Sequence, residues 1–262
     1  TLLEEQLTDE QLNAYAARVR EIPDRQISIV NPIANPDQSP NRYDPVLFYS
    51  EDVHYSVTKA GRLLELPTFQ EMGEKRYPGQ CPITANGRWP AEVPSHNVDV
   101  NNPLSGSVNV ADLEALVRFF VVQGLPVVII ANLGTTWKGA YDDVPAINAM
   151  LEQLGQEYPW LWERQVQYGT TADGTPLYHN RRGFWLHVDG ALGAAYLPFV
   201  EMAYTRGLLP ERGPIFDFRN PAVMSVGCSM HKWMGGPWPS GVFLTRTGYQ
   251  LLPPDEAATF LG

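Results

Sequence analysis

Phe184-Trp185-Leu186-His187-Val188-Asp189-Gly190-Ala191 is an apolar run that ends in an acid followed by two small residues. The run reads as a buried strand, and its end delivers a carboxylate to the edge of a sheet. About 43 residues further on stands Ser229-Met230-His231-Lys232-Trp233-Met234-Gly235-Gly236-Pro237, a spacing that leaves room for a crossover helix and a second parallel strand. Such a crossover brings both strand ends to one rim of a parallel sheet, where open α/β folds bind their ligands. Lys232, among Met230, Trp233 and Met234, is expected to lose hydration, which disfavours its charged form and frees a nucleophilic amine near neutral pH.

A lysine beside a tryptophan is more often a surface residue whose stem lies along apolar neighbours. An acid after a strand is usually a turn or cap residue. The two together carry more than either alone, because pyridoxal phosphate needs a lysine for its aldehyde and a carboxylate for its ring nitrogen. Histidine and carboxylate could also bind zinc or iron, but a metal reading of His187, Asp189 and His231 leaves Lys232 without a role, and no metal is expected.

Alternating signals extend outward from these two blocks. Val46-Leu47-Phe48-Tyr49 reads as a short buried strand, followed by a helix from about His54 to Leu64. Asn109 to Asp112 can cap a helix carrying Leu113, Leu116, Val117 and Phe120 and ending at Gly124. Residues 126–131 are expected to form a strand buried on both faces, and a helix through Ile147, Met150 and Leu154 follows. Between Glu157 and Gly183, Asp173-Gly174 marks a hairpin or flap. Strands are expected at 184–188, 222–227 and 240–245, the last antiparallel. Near the N-terminus, Thr8-Asp9-Glu10-Gln11 reads as a capping box opening a helix that ends before Pro23, with a loop over 31–45. The proline-rich stretch from Pro67 to Leu104 suggests an irregular excursion. This order predicts an α/β three-layer sandwich with a mostly parallel sheet.

The chain resembles the pyridoxal-phosphate-dependent group II amino acid decarboxylases, which include the histidine, aromatic amino acid, glutamate and serine decarboxylases. His187-Val188-Asp189-Gly190-Ala191 is similar to that family's strand-end motif and Ser229-Met230-His231-Lys232-Trp233 to its lysine motif. Tyr49 to Ala60, containing His54, is similar to the block whose histidine stacks on the cofactor ring, and Leu133-Gly134-Thr135-Thr136 with Gly139-Ala140 and Asp142-Asp143 to its glycine-threonine loop. The resemblance implies the large domain of the aspartate aminotransferase fold, pyridoxal 5'-phosphate as cofactor, and decarboxylation of an L-amino acid to the amine and carbon dioxide through a Schiff base on Lys232. It implies catalytic roles for Lys232, His54 and Asp189. For cofactor binding it implies Ala191 on the ring face opposite His54, Thr136 at the phenolic oxygen, and Ser229 and His231 at the phosphate.

The chain departs from the pattern in having no glycine- and serine-rich phosphate loop upstream of His54, and in Gly190 where many relatives have alanine. Residues 1–262 are therefore expected to be the central part of the large domain, without the family's N-terminal segment and C-terminal small domain. Another lyase or desulfurase of the same fold type, or a fragment without turnover, remains an alternative. The family implies a homodimer in the complete protein.

With 262 residues, 44% hydrophobic and 18% charged, the chain has the composition of a globular protein. Its net charge of −10 repels phosphate backbones and anionic membranes, so neither is expected as a partner. Only Cys81 and Cys228 are present, too few for a disulfide framework, which suits a cytoplasmic setting. The acidic N-terminus does not resemble a signal peptide.

Overall fold

Four short apolar strands lie side by side in parallel and a fifth runs against them. The structure is a computed structural model and describes residues 45–99, 101, 102, 104–171 and 173–246. The expected first helix and nearly all of the loop after it lie outside the described residues. β1 (Val46–Phe48) pairs in parallel with β2 (Val127–Asn132), Val46 opposite Val127. β2 pairs with β5 (Phe184–Asp189), and β5 with β6 (Val223–Ser229), both in parallel. β7 (Gly241–Thr245) is antiparallel to β6, giving the order β1-β2-β5-β6-β7.

Most of the described helices begin where a side chain can satisfy their first amides. α1 (Tyr55–Leu63) is capped by His54, and α3 (Val110–Val122) by Asn109, whose side-chain Oδ1 accepts from the amides of Ala111 and Asp112. Asp143 caps α4 (Val144–Glu157) by accepting from Ala146 N–H at 3.0 Å. Gly124 stops the chain after α3 in the left-handed conformation that favours glycine, φ +76. α5 (Gly193–Thr205) is the crossover between β5 and β6.

One face of the sheet is thoroughly buried. Ile129 and Ala131 of β2 and Leu186 and Val188 of β5 join Leu116 and Phe120 of α3, Ile147 and Leu154 of α4, and Leu197 of α5 in one buried cluster. The expectation that β2 is covered on both faces does not hold. Val128 and Ile130 are only half-buried, as are Trp185 and His187 of β5, because α1 flanks that side and leaves a groove between itself and the sheet.

The stretch from Pro67 to Leu104 also departs from expectation, since it contains α2 (Phe69–Arg76). Thr68 Oγ accepts the Glu71 amide at 3.1 Å, and Glu71 returns the bond by accepting the Thr68 amide at 2.9 Å, a capping box set between two prolines. Gly73 lets this helix lie on Trp89, whose indole N–H donates to Tyr77 O at 2.9 Å. A Cβ at Gly73 would stand 2.3 Å from the indole ring. Gly73→Ala is therefore expected to destabilise by about 1–3 kcal/mol despite alanine's better helix propensity, lowering Tm by roughly 2–10 °C. An unchanged Tm in differential scanning calorimetry would contradict this packing.

Of the described residues, Glu163–Arg181 group as one compact unit and the rest as a second. The first is the expected hairpin, β3 (Arg164–Thr170) against β4 (Pro176–Arg181), closed at Gly174 with φ +86. Among the described residues, no helix is long and apolar enough to cross a membrane.

Candidate active site

The carboxyl ends of β2, β5 and β6 meet along one rim. Asn132 at the end of β2 stands opposite Asp189 at the end of β5, and Asp189 opposite Gly227 of β6. Backbone bonds continue the alignment past the strands. Leu133 N–H donates to Asp189 O at 2.9 Å, and Ser229 N–H to Ala191 O at 3.2 Å. Asp189 Oδ1 accepts from Ala191 N–H at 3.1 Å, a tight turn that fixes its carboxylate at the strand end. A Cβ on Gly190 would stand 2.6 Å from Ala194 Cβ and 2.9 Å from Gly227 O, so this chain requires glycine there.

Lys232 follows Ser229 by one turn. Gly235 N–H donates to Lys232 O at 3.1 Å, Gly236 N–H to Met230 O at 3.0 Å, and Met230 N–H to Ser240 O at 3.0 Å, which closes the turn onto the start of β7. His231 Nδ1 lies 3.0 Å from Ser240 O and 3.2 Å from Ser240 N, so it braces the same turn. The sequence argument that Met230, Trp233 and Met234 would desolvate the lysine fails in this chain. Lys232 is exposed, and Trp233 and Met234 are each 51% exposed. Apolar neighbours within one turn cannot cover one another; burial needs a second element, and Trp233 instead leans outward onto Phe199 and Tyr196, ring centroids 5.4 and 6.0 Å away.

The other predicted residues surround this rim. His54 follows the carboxyl end of β1; its Nδ1 receives the Ser56 amide at 3.3 Å and lies 2.7 Å from Ser56 Oγ. The imidazole thus performs the ordinary capping role, which leaves Nε2 available. Ala191 is half-buried beside Asp189, and Ser229 half-buried at the end of β6. In the glycine-threonine loop the two threonines divide their tasks. Thr135 is buried and its hydroxyl accepts the Ala140 amide at 3.1 Å, while Thr136 is exposed.

Two polar clusters at the site were not singled out by the sequence. Asp142, 2% exposed, accepts from the amides of Val108 at 2.7 Å and Asn132 at 2.6 Å, and from Asn132 Nδ2 at 3.1 Å; that same Nδ2 donates to Ser50 Oγ at 2.9 Å. Burial pushes the Asp142 carboxyl up to about 6 against these hydrogen bonds, which favour the charged form, with nearby Asp52 adding to the rise. Its folded pKa lies above the unfolded one, so its contribution to stability is complete below about pH 4 and is lost as pH rises through about 6. At about 1.4 kcal/mol per unit this amounts to of order 3 kcal/mol. The stability difference between the wild type and Asp142→Asn is expected to shrink from pH 4 to 6.5 in urea titrations, and parallel curves would rule out this titration.

The second cluster lies in the groove. Trp185 Nε1 donates to Ser225 Oγ at 2.9 Å, and the same oxygen lies 2.8 Å from His187 Nδ1. The imidazole stacks on Phe243 at 5.7 Å and 24°. Burial holds His187 below the usual imidazole range, while the Asp189 charge acts the other way. The groove has a volume of about 580 Å³, with Val128, Ile130 and Trp185 on the sheet side, Ala60 and Leu64 on the helix side and Asp189 among its lining.

A family model described as the pyridoxal-dependent decarboxylase conserved domain matches residues 93–254. The chain is 28% identical over 203 residues to serine decarboxylase 2 of Oryza sativa subsp. japonica, covering 78% of this chain and 29% of that protein. It is 27% identical over 202 residues to histidine decarboxylase of Vibrio campbellii, covering 76% and 35%. Among solved structures, L-methionine decarboxylase from Streptomyces sp. 590 is similar with a TM-score of 0.73 at 39% identity, over 86% of this chain and 47% of that one. The chain thus spans about a third of the length of these curated relatives and about half of the methionine decarboxylase.

Proposed function

The chain belongs to the pyridoxal-dependent decarboxylase family, and from that premise we propose that the complete protein removes carbon dioxide from an L-amino acid with pyridoxal 5'-phosphate held through Lys232. Its fold is the aspartate aminotransferase-like one of the pyridoxal phosphate decarboxylases. The observation that carries the reading is the rim itself, where Asp189 and the turn bearing Lys232 sit on adjacent parallel strands joined by the bond from Ser229 N–H to Ala191 O.

The residues present fit the coenzyme. Asp189 Oδ1 is engaged by the Ala191 amide, which leaves Oδ2 as an acceptor for a protonated ring nitrogen. Ala191 offers a small side chain against a planar ring, and His54 a flat imidazole whose Nε2, without a partner among the described residues, could serve its other face or a substrate carboxylate. Thr136 would hold the phenolic oxygen, and Ser229 and His231 the phosphate. When bound, the coenzyme supplies an electron sink for the carbon that loses its carboxylate. Asp189 would keep the proton on the ring nitrogen, and the Lys232 amine would hold the aldehyde and supply a group that can move a proton as the product leaves.

A complete protein acting as a homodimer in the cytoplasm is part of the proposal. The exposed Phe199, Met202, Trp233 and Trp238 support association, and the free thiols of Cys81 and Cys228 support a reducing compartment. The net charge of −10 argues against nucleic acid or an anionic membrane as a partner. A second reading, a chain that folds without turnover, is favoured by the exposure of Lys232.

The deciding experiment incubates the complete protein with pyridoxal phosphate and a panel of L-amino acids while released carbon dioxide is measured. L-Methionine comes first, because the methionine decarboxylase is 39% identical over 86% of this chain; L-histidine and L-serine follow. Carbon dioxide with the matching amine is expected. An aldehyde or sulfide product would point to another lyase, and bound cofactor without any product to the second reading.

A further inference from the structure

Trp185, His187 and Asp189 alternate along β5 and so share one face of the sheet. Ser225 stands opposite His187 in β6 and is fully buried. An indole N–H can only donate, so Trp185 gives its hydrogen to Ser225 Oγ. The serine hydroxyl then has one proton of its own to place, and among the described residues the acceptor within reach is His187 Nδ1. The reverse arrangement, with Nδ1 donating, would leave that buried hydroxyl proton without a partner. The relay therefore fixes the tautomer, with the imidazole proton on Nε2.

The direction of Nε2 follows from Gly227. This residue is the partner of Asp189 across the β5–β6 ladder, so a side chain there would stand beside the Asp189 carboxylate on the same face. A Cβ placed on it would meet His187 Nε2 at 3.4 Å. Glycine at 227 thus leaves open the space between the imidazole N–H and the carboxylate end of the rim. Phe243 lies against the ring and holds its plane.

We propose that His187 is a positioning residue for Asp189: the chain Trp185, Ser225, His187 presents an Nε2–H on the face that carries the carboxylate, across the gap left by Gly227, and so orients Asp189 for the nitrogen of a bound pyridine ring. The proposal rests on the coenzyme reading given above.

The test loads the complete protein with pyridoxal phosphate labelled with ¹⁵N in the ring and follows ring-nitrogen protonation by NMR across pH, alongside the affinity of the cofactor-free protein for the coenzyme. His187→Phe keeps an aromatic ring against Phe243 and removes the donor. It is expected to shift the midpoint of nitrogen deprotonation down by at least one pH unit and to weaken coenzyme binding about tenfold, whereas His187→Gln, which retains an N–H, restores most of both. Should His187→Phe not fold, Ser225→Ala frees the tautomer and is expected to move the midpoint in the same direction. A wild-type midpoint in whichever of these two variants folds, with coenzyme still bound, would overturn the proposal and leave the coenzyme reading intact. A wild-type protein that binds no labelled coenzyme would overturn both.

Discussion

Lys232→Ala in the complete protein is expected to lose the visible absorbance of lysine-bound pyridoxal phosphate and to fall in kcat by at least about 10²–10⁴-fold, the range supplied by one positioned proton-transfer group. The loss should come without unfolding. Lys232 is exposed, and its turn is held by backbone bonds from Gly235 and Gly236 and by the brace between His231 and Ser240, none of which needs the ammonium. Stability by urea unfolding should therefore change by no more than about 0.5 kcal/mol, as for surface substitutions generally. A retained visible band would place the covalent link on another amine.

Asp189→Asn should give a folded protein with the same coenzyme colour and about 10³-fold lower kcat. Asparagine can keep the bond to the Ala191 amide through its carbonyl oxygen, so the turn after β5 survives. The charge is lost. A carboxylate about 4 Å from a protonated nitrogen, in an effective dielectric near 20, is worth about 4 kcal/mol before desolvation, which corresponds to about three powers of ten in rate. Wild-type kcat in Asp189→Asn would remove the carboxylate from the chemistry and leave it as a turn residue.

The rim was legible because its signals are local. An apolar run closed by Asp189-Gly190-Ala191, a glycine turn after Lys232 and the distance between them suffice to predict two parallel strands and a crossover, and Asp173-Gly174 suffices for the hairpin. α2 was hidden by the prolines on either side of it, although Thr68 and Glu71 carry the spacing of a capping box. Other misses depend on what packs where. The half-exposure of Val128, Ile130 and Trp185 depends on where α1 lies, which no strand's own pattern records. The solvation of Lys232 has the same origin, since Trp233 turns onto Phe199 and Tyr196 of α5 and it and Met234 stay half-exposed instead of closing over the amine. Asp142 was seen only as part of a loop, because its partners Val108 and Asn132 are brought to it by the fold. His187 belongs to the same class, because its partner Ser225 is brought to it by the neighbouring strand.

The most direct measurement of the central claim is borohydride reduction of the complete protein with pyridoxal phosphate, followed by peptide mass spectrometry. The account predicts one pyridoxyl group per chain, on the peptide that contains Lys232. A label on Lys59, Lys75 or Lys138 instead, or no label with the coenzyme in excess, would contradict it.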